Sequence, residues 1–280
     1  MERKVMQTIY HTGNGEWLDG SLYYEHRQTR RRGAKFKPTS EAQQRLNEEN
    51  ARRSAVRLLQ DNFTVGKDFI IHLTYNVENI PADDERARKD LRNFILRVKR
   101  LYKRLGITEN FKYFGTAIGG GKVRRHIHLV ITGSKYPNLA DEIRALWPFG
   151  YCNVDRVQDD GEEGLAGIAS YICKNFRTAK ELREAVFGKS WCCSKNLSRS
   201  EAHNRRGALP VSLLPKLAVA TPTERLDILE SIYPGYRAVE IDVAELSDAP
   251  EDRKHRIYGN YYIYLRMRRK TTNHTKQKRR

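Results

Sequence analysis

No stretch of this 280-residue chain comes near the roughly 18 consecutive apolar residues that a membrane-spanning helix needs. The N-terminal run MERKVMQTIYHTGNGEW also lacks the apolar centre of a secretory leader. The chain is therefore expected in the cytoplasm, neither secreted nor membrane-bound. Cysteine is scarce. The four residues, Cys152, Cys173, Cys192 and Cys193, show no zinc-ligand spacing, and the adjacent pair is poorly placed for a simple disulfide. Free thiols in a reducing compartment are the simplest expectation. No G-x-x-x-x-G-K-[ST] loop occurs, which argues against a helicase or ATPase domain. Gly119 to Lys122 looks superficially like a phosphate loop, but the spacing is wrong and a hairpin turn explains it. Acid is also in short supply, with 34 Asp and Glu against 52 Lys and Arg.

The net charge is +18, with 31% of residues charged and 39% hydrophobic. Such an excess suits a polyanionic partner, because each cation set on a nucleic-acid phosphate releases condensed counterions. The plainer alternative is a basic protein kept soluble by its charge.

Along the chain, residues 1–38 are polar and basic, including Arg30-Arg31-Arg32, and read as a short hairpin or a mobile arm. Ser40 and Gln43 fit a capping box, opening a charged helix that runs to about Leu59. DFIIHLTYN (68–76) reads as a buried strand. A helix follows from about Asp84 to Leu105, with Leu91, Phe94, Ile95, Val98 and Tyr102 on one face, and Gly106 closes it. Two β-type runs, about 112–118 and 123–132, flank three glycines as a hairpin. A short helix near 138–147, a strand near 150–155 and a helix near 164–176 complete the series.

The expected class is α+β: an antiparallel sheet of about five strands with helices packed on it and a basic C-terminal extension. The expected division is an arm (1–38), a central domain (39–206), a helix and β extension (207–264, with a helix near 222–232) and a basic tail (265–280). That tail carries eight Lys or Arg and no acid.

The most informative motif is His126-Ile127-His128 within VRRHIHLVIT. Residues two apart on a strand share a face, so both imidazoles project together and form half of a divalent-metal site. Ile127, Leu129 and Ile131 then face the core. Two unrelated histidines on a solvated strand would give the same pattern.

The helix GLAGIASYICKNF is expected to bury Leu165, Ile168, Ile172 and Phe176 on one stripe. At about 100° per residue, Tyr171 and Lys174 fall on an adjacent face about 60° apart, and Gly167 lies between them. A phenol, an ammonium and a gap wide enough for a phosphodiester suit nucleophilic attack on phosphorus. Tyr171 at the helix rim is the plainer reading, and Tyr-x-x-Lys carries weight only through its place after the histidine pair.

Three segments, in order, resemble the HUH endonucleases, named for their His-hydrophobic-His motif, and among them the rolling-circle replication initiators of filamentous phages and plasmids. FIIHLTYN resembles the first strand motif, HIHLVITG the metal motif and SYICKNF the Tyr-Lys helix. RLNEENARRSAVRLLQDNF and WCCSKNLSRS also resemble sequences in these initiators, so the likeness spans roughly residues 40–200.

The resemblance implies a sheet of about five strands, related to the RNA-recognition fold, with the histidines on a central strand. It implies nicking of single-stranded origin DNA by Tyr171, a 5′-phosphotyrosine, a free 3′-OH, and magnesium or manganese held by His126 and His128. Host helicase and polymerase are implied as partners, with no membrane and no small-molecule ligand. The family's third ligand is commonly a Glu on the strand before the histidines. KYFGTAIGG here has no acid, and His72 on the first strand is either its substitute or a buried, hydrogen-bonded histidine. With Gly167 one turn before Tyr171, a two-tyrosine mechanism is not expected.

For DNA binding, Arg124 and Arg125 are placed to hold phosphates beside the metal, or are solvated strand-end charges. Trp191 and Lys195, within KSWCCSKNLSRS, suit a single-strand channel in which bases stack on aromatics, although Trp191 also reads as core. Two other functions remain open: a single-tyrosine transposase or relaxase with the same chemistry, and a non-catalytic nucleic-acid binder of RNA-recognition-like fold.

Overall fold

A computed structural model describes residues 4–25, 41–120, 123–159, 161, 164–173, 191–245 and 261–270. Ten strands are described: β1 (Val5–Thr12), β2 (Trp17–Tyr24), β3 (Phe69–Thr74), β4 (Tyr113–Gly120), β5 (Val123–Ile131), β6 (Cys152–Arg156), β7 (Cys192–Cys193), β8 (His203–Arg206), β9 (Tyr236–Glu245) and β10 (Tyr261–Arg269). The helices are α1 (Glu41–Asn62), α2 (Asp84–Arg104), α3 (Leu139–Arg144), α4 (Ala166–Cys173), α5 (Leu213–Val219) and α6 (Pro222–Ile232). The class is α+β, with antiparallel five-stranded sheets. The chain divides into two compact units. Residues Lys37–Arg199 form one, and Met1–Phe36 with Ser200–Arg280 form the other.

In the first unit the strand order is β6-β3-β5-β4-β7, with β5 at the centre. Strict alternation on β3 and β5 divides the sheet into two faces. Phe69, Ile71, Leu73, Ile127, Leu129 and Ile131 point to one core, where Leu91, Phe94, Val98 and Tyr102 of α2 and Ile143 of α3 meet them. Asp83 caps α2, accepting from the Arg86 N–H at 2.8 Å, and Lys103 and Arg104 in its last turn suit the helix dipole.

The other face carries Val130 and Phe114. They pack with Val56 and Leu59 of α1 and with Leu165, Ala166 and Ala169 at α4. Gly115 on β4 permits this spacing, because a Cβ there would lie 2.7 Å from Leu129 Cδ1 and 2.8 Å from the His128 carbonyl oxygen.

In the second unit the order is β8-β1-β2-β10-β9. Val5, Ile9, Leu18, Leu22, Ile263, Leu265 and Met267 form a core with Leu213, Leu214 and Leu217 of α5 and Leu229 of α6. A capping box at Thr221 and Glu224 opens α6. Residues 5–24 thus form a hairpin, the first of the two forms the sequence allows, and it pairs with the C-terminal strands.

The expected basic tail from residue 265 is corrected in its first part, since residues 265–269 complete β10; residues 271–280 lie outside the described residues. Arg266 illustrates why charge alone misled. It is fully buried between Asp19 (3.3 Å) and Glu240 (2.8 Å), and Tyr264 donates to the same Asp19 carboxylate at 2.7 Å.

Candidate functional site

The register of the first sheet sets the site out in three rows. Ile70, Val130 and Phe114 form one row across β3, β5 and β4, and lie under α1 and α4. The next row is Asn153 on β6, His72, His128 and Thr116. The third pairs Thr74 with His126. Directly opposed residues of antiparallel strands share a face, so all three histidines lie on one side of the sheet. That side is the one over which α4, the helix containing Tyr171, packs.

His128 is 3% exposed and Thr116 1%, while His72 and His126 are half-buried. The His72 and His128 ring centroids lie 4.7 Å apart, and those of His126 and His128 4.9 Å, both edge to face. Burial pushes the His128 pKa down to about 3, and the neighbouring His72 and His126 add to the effect. Burial also lowers that of His72; Asp155 opposes this and His126 reinforces it. Neutral imidazoles result, the form in which a ring nitrogen offers a lone pair to a metal.

This donor chemistry fits a small divalent cation in part. Among the described residues no group of three or more His, Cys, Asp or Glu is arranged to hold a metal ion. His72 stands beside the pair, and the position opposite His128 on β4, where an acid would complete the set, is Thr116.

Arg125 is placed otherwise than expected. Alternation puts it with Ile127 and Leu129 on the α2 face, away from the histidines. Its guanidinium donates to the Pro81 carbonyl oxygen at 2.9 Å, bracing the approach to α2. Trp191 is half-buried and tilted against Phe114, with centroids 5.8 Å apart, as the core reading expects; Lys195 is exposed. The side chains of Arg124 and Tyr171 lie outside the described set, as does Lys174 entirely.

The buried stripe at α4 runs through Leu165, Ala166 and Ala169, with Ile168 only half-buried; Ile172 and Phe176 are not among the described side chains. Small alanines allow the close approach of α1.

Asn153 and Asp155 on β6 were not singled out by sequence. Asn153 donates to the Asp155 carboxylate and stands directly across from His72. CNVDR carries no motif, and only the strand register brings these residues to the site. Cys152 and Cys192 are unreactive, both pushed up to about 12 chiefly by burial.

Residues 68–176 match the family model of the ORF2-type replication-associated proteins. That stretch, less than half of the chain, begins just before β3 and ends just after α4. It contains the three histidines, Tyr171 and Lys174. The match supports a role in replication. No curated protein and no solved structure matches the chain.

Proposed function

We propose that this chain is a metal-dependent endonuclease that starts rolling-circle replication by nicking single-stranded origin DNA. One observation carries the proposal. A histidine pair on the central strand shares a sheet face with the packed helix containing Tyr171, within the one stretch similar to replication-associated proteins.

In this reading the deprotonated phenol oxygen of Tyr171 attacks the scissile phosphorus. The bond from phosphorus to the 3′ oxygen breaks. The departing oxygen takes up a proton and becomes the 3′-OH that primes synthesis. The 5′ end remains on Tyr171 as a phosphotyrosine diester, and the reverse reaction rejoins strands. His126 and His128, with His72 beside them, are the residues that would hold magnesium or manganese. Such an ion, when bound, draws electron density from a non-bridging phosphate oxygen. Lys174 offsets negative charge at the phosphate or lowers the phenol pKa. Neutral His128 keeps its lone pair for ligation, not for proton transfer.

The test is to incubate the protein with manganese and a randomised single-stranded DNA library and look for a denaturation-resistant protein–DNA adduct. Wild type is expected to form it and Tyr171→Phe to lose it. An adduct of equal yield in the variant would reject Tyr171 as nucleophile.

A further inference from the structure

Beyond the nicking centre, the sheet carries an exposed aromatic in line with the histidines. The Thr74 N–H donates to the Tyr151 carbonyl oxygen at 2.9 Å, which continues the β3–β6 register one residue past Leu73 and Cys152. Tyr151 therefore extends the row of Thr74 and His126, on the histidine face. Two strand spacings separate Tyr151 from His126, about 10 Å. That is on the order of one nucleotide step along an extended single strand.

Among the described tyrosines Tyr151 has the greatest exposure, 68%. Its backbone, in contrast, is held tightly. Gly150 closes on β3, where a Cβ would lie 2.3 Å from the Thr74 carbonyl oxygen and 2.5 Å from the Asn76 nitrogen. The Asn76 N–H donates to the Phe149 carbonyl oxygen at 2.8 Å, and Trp147 donates to the Thr74 carbonyl oxygen at 3.0 Å. Tyr75, Trp147 and Phe149 pack together beneath this corner. Val77 and Ile80, both exposed, lie on the segment that leaves the same end of β3. An aromatic ring that is solvent-facing on an immobilised backbone spends little conformational entropy on binding.

We infer that Tyr151 is a base-stacking subsite for single-stranded DNA, holding a nucleobase next to the phosphate presented to His126 and His128. The inference rests on the nicking reading for its substrate. The flat face of any base stacks on a tyrosine without regard to sequence, while the chain's net charge of +18 holds the phosphates. The subsite sets which phosphate reaches the metal histidines by fixing the neighbouring base.

The test uses a single-stranded dT oligonucleotide carrying iododeoxyuridine. Irradiation of the wild-type complex is expected to cross-link the base to the peptide containing Tyr151, read by mass spectrometry. Tyr151→Ala should lose that cross-link and bind dT roughly 5- to 50-fold more weakly, whereas Tyr151→Phe should retain both. Tyr151→Ala binding as tightly as wild type, or cross-linking confined to other peptides, would overturn the subsite. The adduct assay separates the two readings. Cross-linking at Tyr151 without any covalent Tyr171 adduct sustains the subsite and removes the nickase. An adduct without cross-linking at Tyr151 does the reverse.

Discussion

His72 and His128 stand directly opposite one another on neighbouring strands, their ring centroids 4.7 Å apart, although 56 positions separate them in the chain. This pairing makes His72 the nearest candidate for the third metal position. His72→Ala is expected to weaken manganese affinity by roughly 10- to 100-fold, followed by titration of the free-ion paramagnetic signal. Unchanged affinity would leave His72 as a packing residue only. His126→Ala combined with His128→Ala should abolish both manganese binding and cleavage while leaving most single-strand affinity intact.

Acid should destabilise the metal-free protein through these same rings. In the folded state His128 stays neutral down to about 3, whereas in the unfolded chain it takes a proton near its ordinary value of 6.5. The unfolded state then binds more protons between those limits, so stability falls as pH drops from about 6.5 toward 3. The slope from this residue is at most about 1.4 kcal/mol per pH unit. The lowered pKa of His72 acts in the same direction. Urea unfolding at about pH 7 and about pH 5 is expected to show this loss, and His128→Gln to reduce it. An identical pH dependence in the variant would show that the ring titrates normally.

Gly115→Ala should cost stability at the centre of the sheet. The new methyl would meet the His128 carbonyl oxygen at 2.8 Å and Leu129 Cδ1 at 2.7 Å, so β4 and β5 must part. A loss of about 1–3 kcal/mol is expected from thermal unfolding. Because the displaced strand carries His128, cleavage should fall further than the unfolded fraction explains.

DNA affinity should drop steeply with salt, by roughly a thousandfold between low and physiological-plus ionic strength if six or so phosphates are contacted. Arg125→Ala should leave that slope unchanged. Its guanidinium is engaged with Pro81 on the α2 face, so the expected effect is a lower melting temperature. A shallower salt slope in this variant would return Arg125 to the DNA.

Local periodicity made much of the first unit readable. α2, at Asp84–Arg104, carries its apolar residues at spacings that only a helix unites, and the alternation on β5 put both histidines on one face before any strand partner was known. What periodicity cannot supply is the identity of a distant partner. β2 pairs with β10, joining residues such as Gly20 and Leu265 from opposite ends of the chain. The buried polar residues Gln7, Asp19 and Ser21 also interrupt the apolar alternation that would reveal the hairpin. β7 is two residues long, too short for any pattern. At the site, the Thr116, Asn153 and Tyr151 positions became meaningful only through register with β3 and β5.

The central claim is a covalent bond between a phosphate and one particular phenol. After reaction with manganese and single-stranded DNA, nuclease trimming and proteolysis should leave a single phosphonucleotide on the peptide containing Tyr171. Fragmentation should place it on that residue. A nucleotide mapped to any other side chain, or none on any peptide despite tight DNA binding, would contradict the nickase assignment.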